Sequence, residues 1–314
     1  MKSLHNCPQT PAPTGNLMFL STGPAADSSL PPLVLPEGYN YIALFLTLAC
    51  NLHCSYCINR FGKLTPGSRL LSGEEWIQGI NRIVSCPDLP VTLQGGEPSL
   101  HPDFLSIVKG IRPDLRIDLL TNLELDAERF MTEVAPERMQ RHAPYASIRV
   151  SYHPETMKIE ALAAKVLSFI GAGYSIGIWG VLHPLWEPEI LRAKEYCLRL
   201  GIDFRTKEFL GEYNGAMHGV FSYPDACSRR EEKEVLCRTT ELIIGPEGDV
   251  FRCHGDLYEG RKPVGHILDP AFAIEPGFSS CNSFGYCNPC DVKLKTNRFQ
   301  SYGHTSVEII KYRD

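Results

Sequence analysis

Six strand-like runs separated by helix-like stretches leave this chain few folds to choose from. The runs cover residues 42–48, 91–94, 116–120, 147–152, 175–182 and 203–209, and helical patterning covers 72–84, 103–111, 126–141, 159–170 and 188–200. Strands joined through helices by short connections pair in parallel, with the helices packed outside. Local chemistry marks the helix ends. Ser72 and Glu75 form a capping-box pattern, and Gly171 and Gly201 stand where helix-terminating glycines are expected. A partial barrel and a doubly wound open sheet fit this α/β periodicity equally well.

The first run ends in ACNLHCSYC, which places Cys50, Cys54 and Cys57 on a loop at a strand's C-terminal end. That is where α/β folds carry their chemistry. Three thiolates leave one position of a four-coordinate metal open, and an open position separates catalytic from structural centres. The second run ends in VTLQGGEP. Gly95 and Gly96 let the backbone approach a ligand closely, Glu97 supplies a carboxylate, and Pro98 stiffens the turn.

Composition narrows the class. A net charge of −5 without a basic block argues against a nucleic-acid partner. No run approaches the ~20 apolar residues of a membrane span, and the first residues lack the apolar core of a signal peptide. The 12 cysteines in 314 residues cluster at metal-like spacings inside a long α/β chain. They read as a reducing, cytoplasmic setting and not as a disulfide scaffold.

CxxxCxxC after a first strand, Tyr56 before the third cysteine and GGEP after a second strand resemble the radical S-adenosylmethionine (SAM) enzymes. The resemblance implies a partial (β/α)6 barrel in which Cys50, Cys54 and Cys57 hold a 4Fe-4S cluster. The methionyl amine and carboxylate of SAM would complete the fourth iron. An electron from an external donor such as flavodoxin or ferredoxin would cleave SAM to a 5′-deoxyadenosyl radical, which abstracts hydrogen from substrate. By the same resemblance Gly95, Gly96, Glu97 and Pro98 meet the SAM amino group and Tyr56 its adenine end. Asn122 lies near SAM, Ser151 at the ribose and Val181 by the adenine.

After about residue 230 the helical periodicity fades. Residues 241–244 and 250–252 flank a Gly-Pro-Glu-Gly-Asp turn and read as a hairpin. The expected layout is therefore a lead-in over 1–38, a barrel over 39–232 and a small cysteine-rich β-hairpin/α domain over 233–314. Four thiolates there suit zinc or an iron–sulfur cluster. The Cys237-x10-Gly248-x4-Cys253 segment followed by Cys287-x2-Cys290 resembles the Twitch/SPASM extensions of radical SAM enzymes. That implies one auxiliary 4Fe-4S cluster on Cys237, Cys253, Cys287 and Cys290. Cys281 either replaces one of these or is a spare thiol, and Cys86 and Cys197 read as inert buried thiols.

Polar residues at strand ends that could face substrate are His153, His183, Arg205, Lys207 and Glu208, with His254 and Asp256 beside an auxiliary ligand. The leading expectation is oxidoreductase chemistry on a small polar metabolite such as a sugar. A peptide maturase, a glycyl-radical-enzyme activase and a non-catalytic zinc scaffold stay open.

Overall fold

The computed structural model describes residues 30–58, 69–86, 88–230, 232–296 and 302–311. Most of the lead-in expected over 1–38 therefore lies outside the described residues. All six expected strands form: β1 (Tyr41–Thr47), β2 (Val91–Gly95), β3 (Ile117–Thr121), β4 (Ile148–Tyr152), β5 (Ile176–Leu182) and β6 (Phe204–Glu208). They pair in parallel in chain order. The sheet stays open, so the architecture is a partial barrel.

Alternation along the strands explains the two faces. Ile42, Leu44, Leu46, Val91, Leu93, Ile117, Leu119, Ile148, Val150, Ile178 and Phe204 point outward into one core shared with the helices. Each buried aliphatic side chain there is worth about 1.5–3 kcal/mol. The opposite face is polar over much of its width. Asp118 is buried with Arg141 at 2.6 Å and Arg149 at 3.0 Å, and the Tyr41 hydroxyl donates to Gln94 at 3.2 Å.

The outer helices are α1 (Gly73–Asn81), α2 (Phe104–Gly110), α3 (Ala127–Glu133), α4 (Ile159–Gly171) and α5 (Glu187–Arg199). The capping box forms as expected between Ser72 and Glu75. Two helices are shorter than their patterns. Residues 83–84 leave α1 to pair in parallel with Leu33–Val34. The stretch expected helical through 141 stops at Glu133, because Pro136 forces Ala135 into an extended conformation and starts a separate 3-10 turn. Gly171 lies inside α4, and Gly173, at φ +90°, takes the left-handed position instead. Gly201 does fill that role after α5, at φ +77°. Among the described residues, no helix is long and apolar enough to cross a membrane.

The C-terminal region is less separate than the sequence implies. It contains β7 (Lys233–Thr239), β8 (Glu241–Ile244), β9 (Asp249–Phe251), α6 (His254–Tyr258), β10 (Gly265–His266), β11 (Ser279–Phe284), α7 (Pro289–Val292) and β12 (Val307–Lys311). The expected hairpin is β8–β9, but β8 pairs in parallel with β1 and extends the barrel sheet to the order β10-β9-β8-β1-β2-β3-β4-β5-β6. Ala43 and Phe45 on the inner face of β1 pack with Ile243, Phe251 and Leu257. This covering is why β1 reads as a continuous apolar run. A second, antiparallel sheet of order β11-β7-β12 carries its own small core.

Candidate functional site

Two turns lock together at the open end of the barrel. Gly96 N–H donates to the Thr47 carbonyl at 2.9 Å and Glu97 N–H to the Ala49 carbonyl at 2.8 Å. A methyl group on Gly95 would lie 2.0 Å from the Thr47 oxygen, and one on Gly96 would lie 2.1 Å from the Ala49 oxygen. Gly95 also sits at φ +155°. The glycines are thus required for the close approach of this turn to the start of the cysteine loop.

Glu97 is 1% exposed and its carboxylate is occupied by the protein itself. It accepts from Ser99 N–H at 3.1 Å, the Ser99 hydroxyl at 2.7 Å, the Thr121 hydroxyl at 2.8 Å and Asn122 N–H at 2.7 Å. Burial pushes its pKa up, against the lowering effect of these donors. Asn122 carries the link onward: its side-chain amide donates to the Asn51 side-chain oxygen at 2.7 Å, inside the cysteine loop. At the other end of that loop, Ser55 N–H donates to a Glu155 carboxylate oxygen at 2.9 Å. Sequence reasoning missed Asn51 and Glu155. Their role depends on contacts 71 and 100 residues away, which no local pattern marks.

The loop between these anchors holds the three thiols. Burial raises the Cys50 and Cys54 pKa values, the latter to about 12, and the neighbouring thiols add to both shifts. A cationic iron centre relieves that cost by binding thiolates. Cys50, Cys54 and Cys57 are free thiols on one loop, the donor type that an iron–sulfur cluster requires.

Tyr56 is fixed by histidines. Its hydroxyl lies 3.1 Å from His153 Nδ1, and its ring centroid lies 5.2 Å from that of His183. Burial holds the His153 pKa down at about 4, so the ring is neutral at pH 7. His183 is itself enclosed by Phe209 and Tyr213, at centroid distances of 4.4 and 4.7 Å. Strand register then aligns the inner wall. Ser151 lies opposite Trp179 and Trp179 opposite Arg205, while Val181 lies opposite Lys207. Ser151, Val181 and Lys207 therefore share one face near the strand ends. Arg205 sits lower, tied to Asp203 at 2.9 Å and to the Pro144 carbonyl.

Lys207 is open to water, yet desolvation and the charges of Arg149 and Lys293 push its pKa down to about 7. Tyr258 packs edge-on to Phe45 of β1 and beside His254, at centroid distances of 6.0 and 5.8 Å. By contrast, His254 and Asp256 are held by charged neighbours. His254 Nδ1 lies 2.9 Å from buried Asp291, and Asp256 is bound by Arg252 at 3.0 Å and Arg261 at 3.2 Å.

Cys237, Cys253, Cys281 and Cys287 each pack against the second core. Cys290 follows on α7. Cys197 is buried and free, as expected, whereas Cys86 is disulfide-bonded and not the inert thiol its surroundings imply.

Comparison with known proteins agrees with this layout. The family model described as the Radical SAM superfamily matches residues 44–206, from β1 into β6. A GTP 3′,8-cyclase of Marinobacter nauticus is 22% identical over 267 residues, covering 80% of this chain and 74% of that protein. A second GTP 3′,8-cyclase, from Lactiplantibacillus plantarum, is 36% identical over 75 residues, which is 24% of this chain but only 23% of that protein's length. Among solved structures, a hexahistidine-tagged anSMEcpe with bound AdoMet superimposes with a TM-score of 0.50 at 16% identity, covering 76% of this chain and 78% of that one. With its cysteine loop clasped by the Gly95–Gly96 turn at the mouth of a partial barrel, and the family model spanning more than half of its length, this chain belongs to the radical SAM superfamily of enzymes and uses a 4Fe-4S cluster with S-adenosylmethionine.

Proposed function

We propose that the chain carries out radical SAM chemistry on a small anionic metabolite of the nucleotide type, with Cys50, Cys54 and Cys57 as ligands of the SAM-binding cluster. The cluster and SAM supply reductive cleavage and hydrogen abstraction. The protein's own residues do the rest. The clasp between the Thr47–Ala49 backbone and Gly95–Glu97 fixes where the cysteine loop stands. Asn122 and Glu155 hold that loop at both ends, and Tyr56, wedged between His153 and His183, closes its third side. Ser151 and Val181 offer the wall along which SAM would lie.

Substrate class rests on one observation: Lys207, with no side-chain partner among the described residues, shares the inner wall with Ser151 and Val181 and lies close to Arg149 and Lys293. Arg149 is already paired with Asp118, so an anion entering this space would meet Lys207 and Lys293 and would favour the protonated form of Lys207. That favours an anionic substrate over the neutral sugar expected from sequence. Two relatives named for chemistry on GTP point the same way. Membership in an enzyme family also removes the zinc-scaffold alternative. A C-terminal auxiliary cluster and an external one-electron donor complete the reading.

The test is anaerobic reconstitution followed by 5′-deoxyadenosine measurement with dithionite. Cys54→Ala should abolish the product, and its retention would overturn the cluster assignment. Purine nucleoside triphosphates should bind the wild type and lose at least tenfold in affinity in Lys207→Gln. Equal affinity in the two proteins would overturn the substrate class.

A further inference from the structure

Six cysteines fall in or beside the second core, more than one cluster needs, and their placement separates them. β7 and β11 run antiparallel with Val235 opposite Cys281 and Cys237 opposite Ser279. Residues directly opposite point to the same face, so Cys237 and Cys281 are diagonal neighbours there, within reach of a common group. That face packs onto Phe284, Val292, Val307 and Ile309. Cys287 follows β11 through a turn, its N–H held by the Ala226 carbonyl at 2.8 Å. Cys253 caps α6, and α6 is pinned to α7 by Asp291, which accepts from the backbone N–H groups of His254 at 3.0 Å and Gly255 at 2.9 Å.

α7 decides the fate of Cys290. Successive residues on a helix point about 100° apart. Asp291 is aimed at the α6 N-terminus and Val292 at the second core. Cys290 is left with a third direction, and it is absent from the thiols that pack against that core. Cys227 is accounted for separately, donating from its buried thiol to the Cys287 carbonyl at 3.3 Å.

We propose that the auxiliary group is held by Cys237, Cys253, Cys281 and Cys287, and that Cys290 stands outside its ligand set. The ligand set thus departs from the spacing-based one by exchanging Cys290 for Cys281, and it rests on the reading that this region carries an iron–sulfur cluster.

The experiment removes the SAM-binding cluster by replacing Cys50, Cys54 and Cys57 with alanine in the full chain. Iron, sulfide and zinc are then measured after anaerobic reconstitution. That background should retain about four iron per chain. Adding Cys281→Ser should bring iron near zero, while adding Cys290→Ser should leave it unchanged. Cys281→His, which keeps a ligating side chain, should hold iron but shift the reduced-state EPR signal; Cys290→His should leave the signal as it was. Loss of iron in Cys290→Ser, or an unaltered signal in Cys281→His, would overturn the assignment. Zinc in place of iron in the parent would overturn it together with the auxiliary-cluster reading. The SAM-cleavage assay on chains with Cys50, Cys54 and Cys57 intact reports on the proposed function independently.

Discussion

Replacing Glu97 by glutamine isolates what the carboxylate does. One oxygen accepts from Ser99 N–H, the Ser99 hydroxyl and the Thr121 hydroxyl, and the other from Asn122 N–H at 2.7 Å. Glutamine has one acceptor oxygen and one NH2 group. With its oxygen kept toward the three donors, its NH2 faces the Asn122 N–H, donor against donor. The change forfeits a charge-assisted bond worth about 1.5–3 kcal/mol and strands a buried N–H at about 1–3 kcal/mol. A neutral amide is cheaper to bury than a carboxylate whose pKa burial already raises, which offsets part of this. The net expectation is a loss of about 2–4 kcal/mol, or a Tm lower by about 3–6 °C for a chain of this size. SAM affinity should fall in parallel, because the displaced turn no longer clasps the cysteine loop. Differential scanning calorimetry and isothermal titration with SAM on the anaerobic holoenzyme read the two effects. Weakened SAM binding at unchanged Tm would refute the reasoning, since it would mean that the carboxylate meets the cofactor directly.

Other perturbations probe neighbouring links. Gly96→Ala puts a methyl 2.1 Å from the Ala49 oxygen and breaks the clasp; overpacking and two lost backbone bonds together cost about 3–5 kcal/mol, measurable by urea unfolding. For His153, whose folded pKa lies near 4 against 6.5 unfolded, the unfolded chain binds the extra proton between those values. Stability should therefore fall as pH drops from 6.5 toward 4, and His153→Phe should flatten that part of the profile; an unchanged slope would count against the buried neutral ring. Asn122→Ala removes the bond to Asn51 and should cost about 1 kcal/mol, with greater protease susceptibility at the cysteine loop. Thr121→Val, which deletes one of four donors to Glu97, should cost less than Glu97→Gln in the same unfolding assay.

What could be read in the residues was local or periodic. Short strand-like runs fixed the strands to within a residue, and the Ser72–Glu75 box fixed the start of α1, because both are written in neighbouring positions. CxxxCxxC and GGEP announced the site for the same reason: each motif is a turn, and turns are decided by the few residues they contain. One helix end was misread for an equally local reason. Pro136 ended α3 against its helical pattern because one restricted backbone angle outweighs propensity.

The rest required distance to be closed in space. Tertiary structure alone decided that β8 would join the edge of the barrel beside β1, since a strand's partner depends on which apolar faces meet. It also filled Glu97 with internal donors, brought Glu155 onto the cysteine loop, and set Lys207 on the wall that carries Ser151. Spacing could count the cysteines of the second set but could not orient them. Cys281 and Cys290 differ in which way a strand face and a helix turn point them, and that direction is a property of packing, not of sequence position.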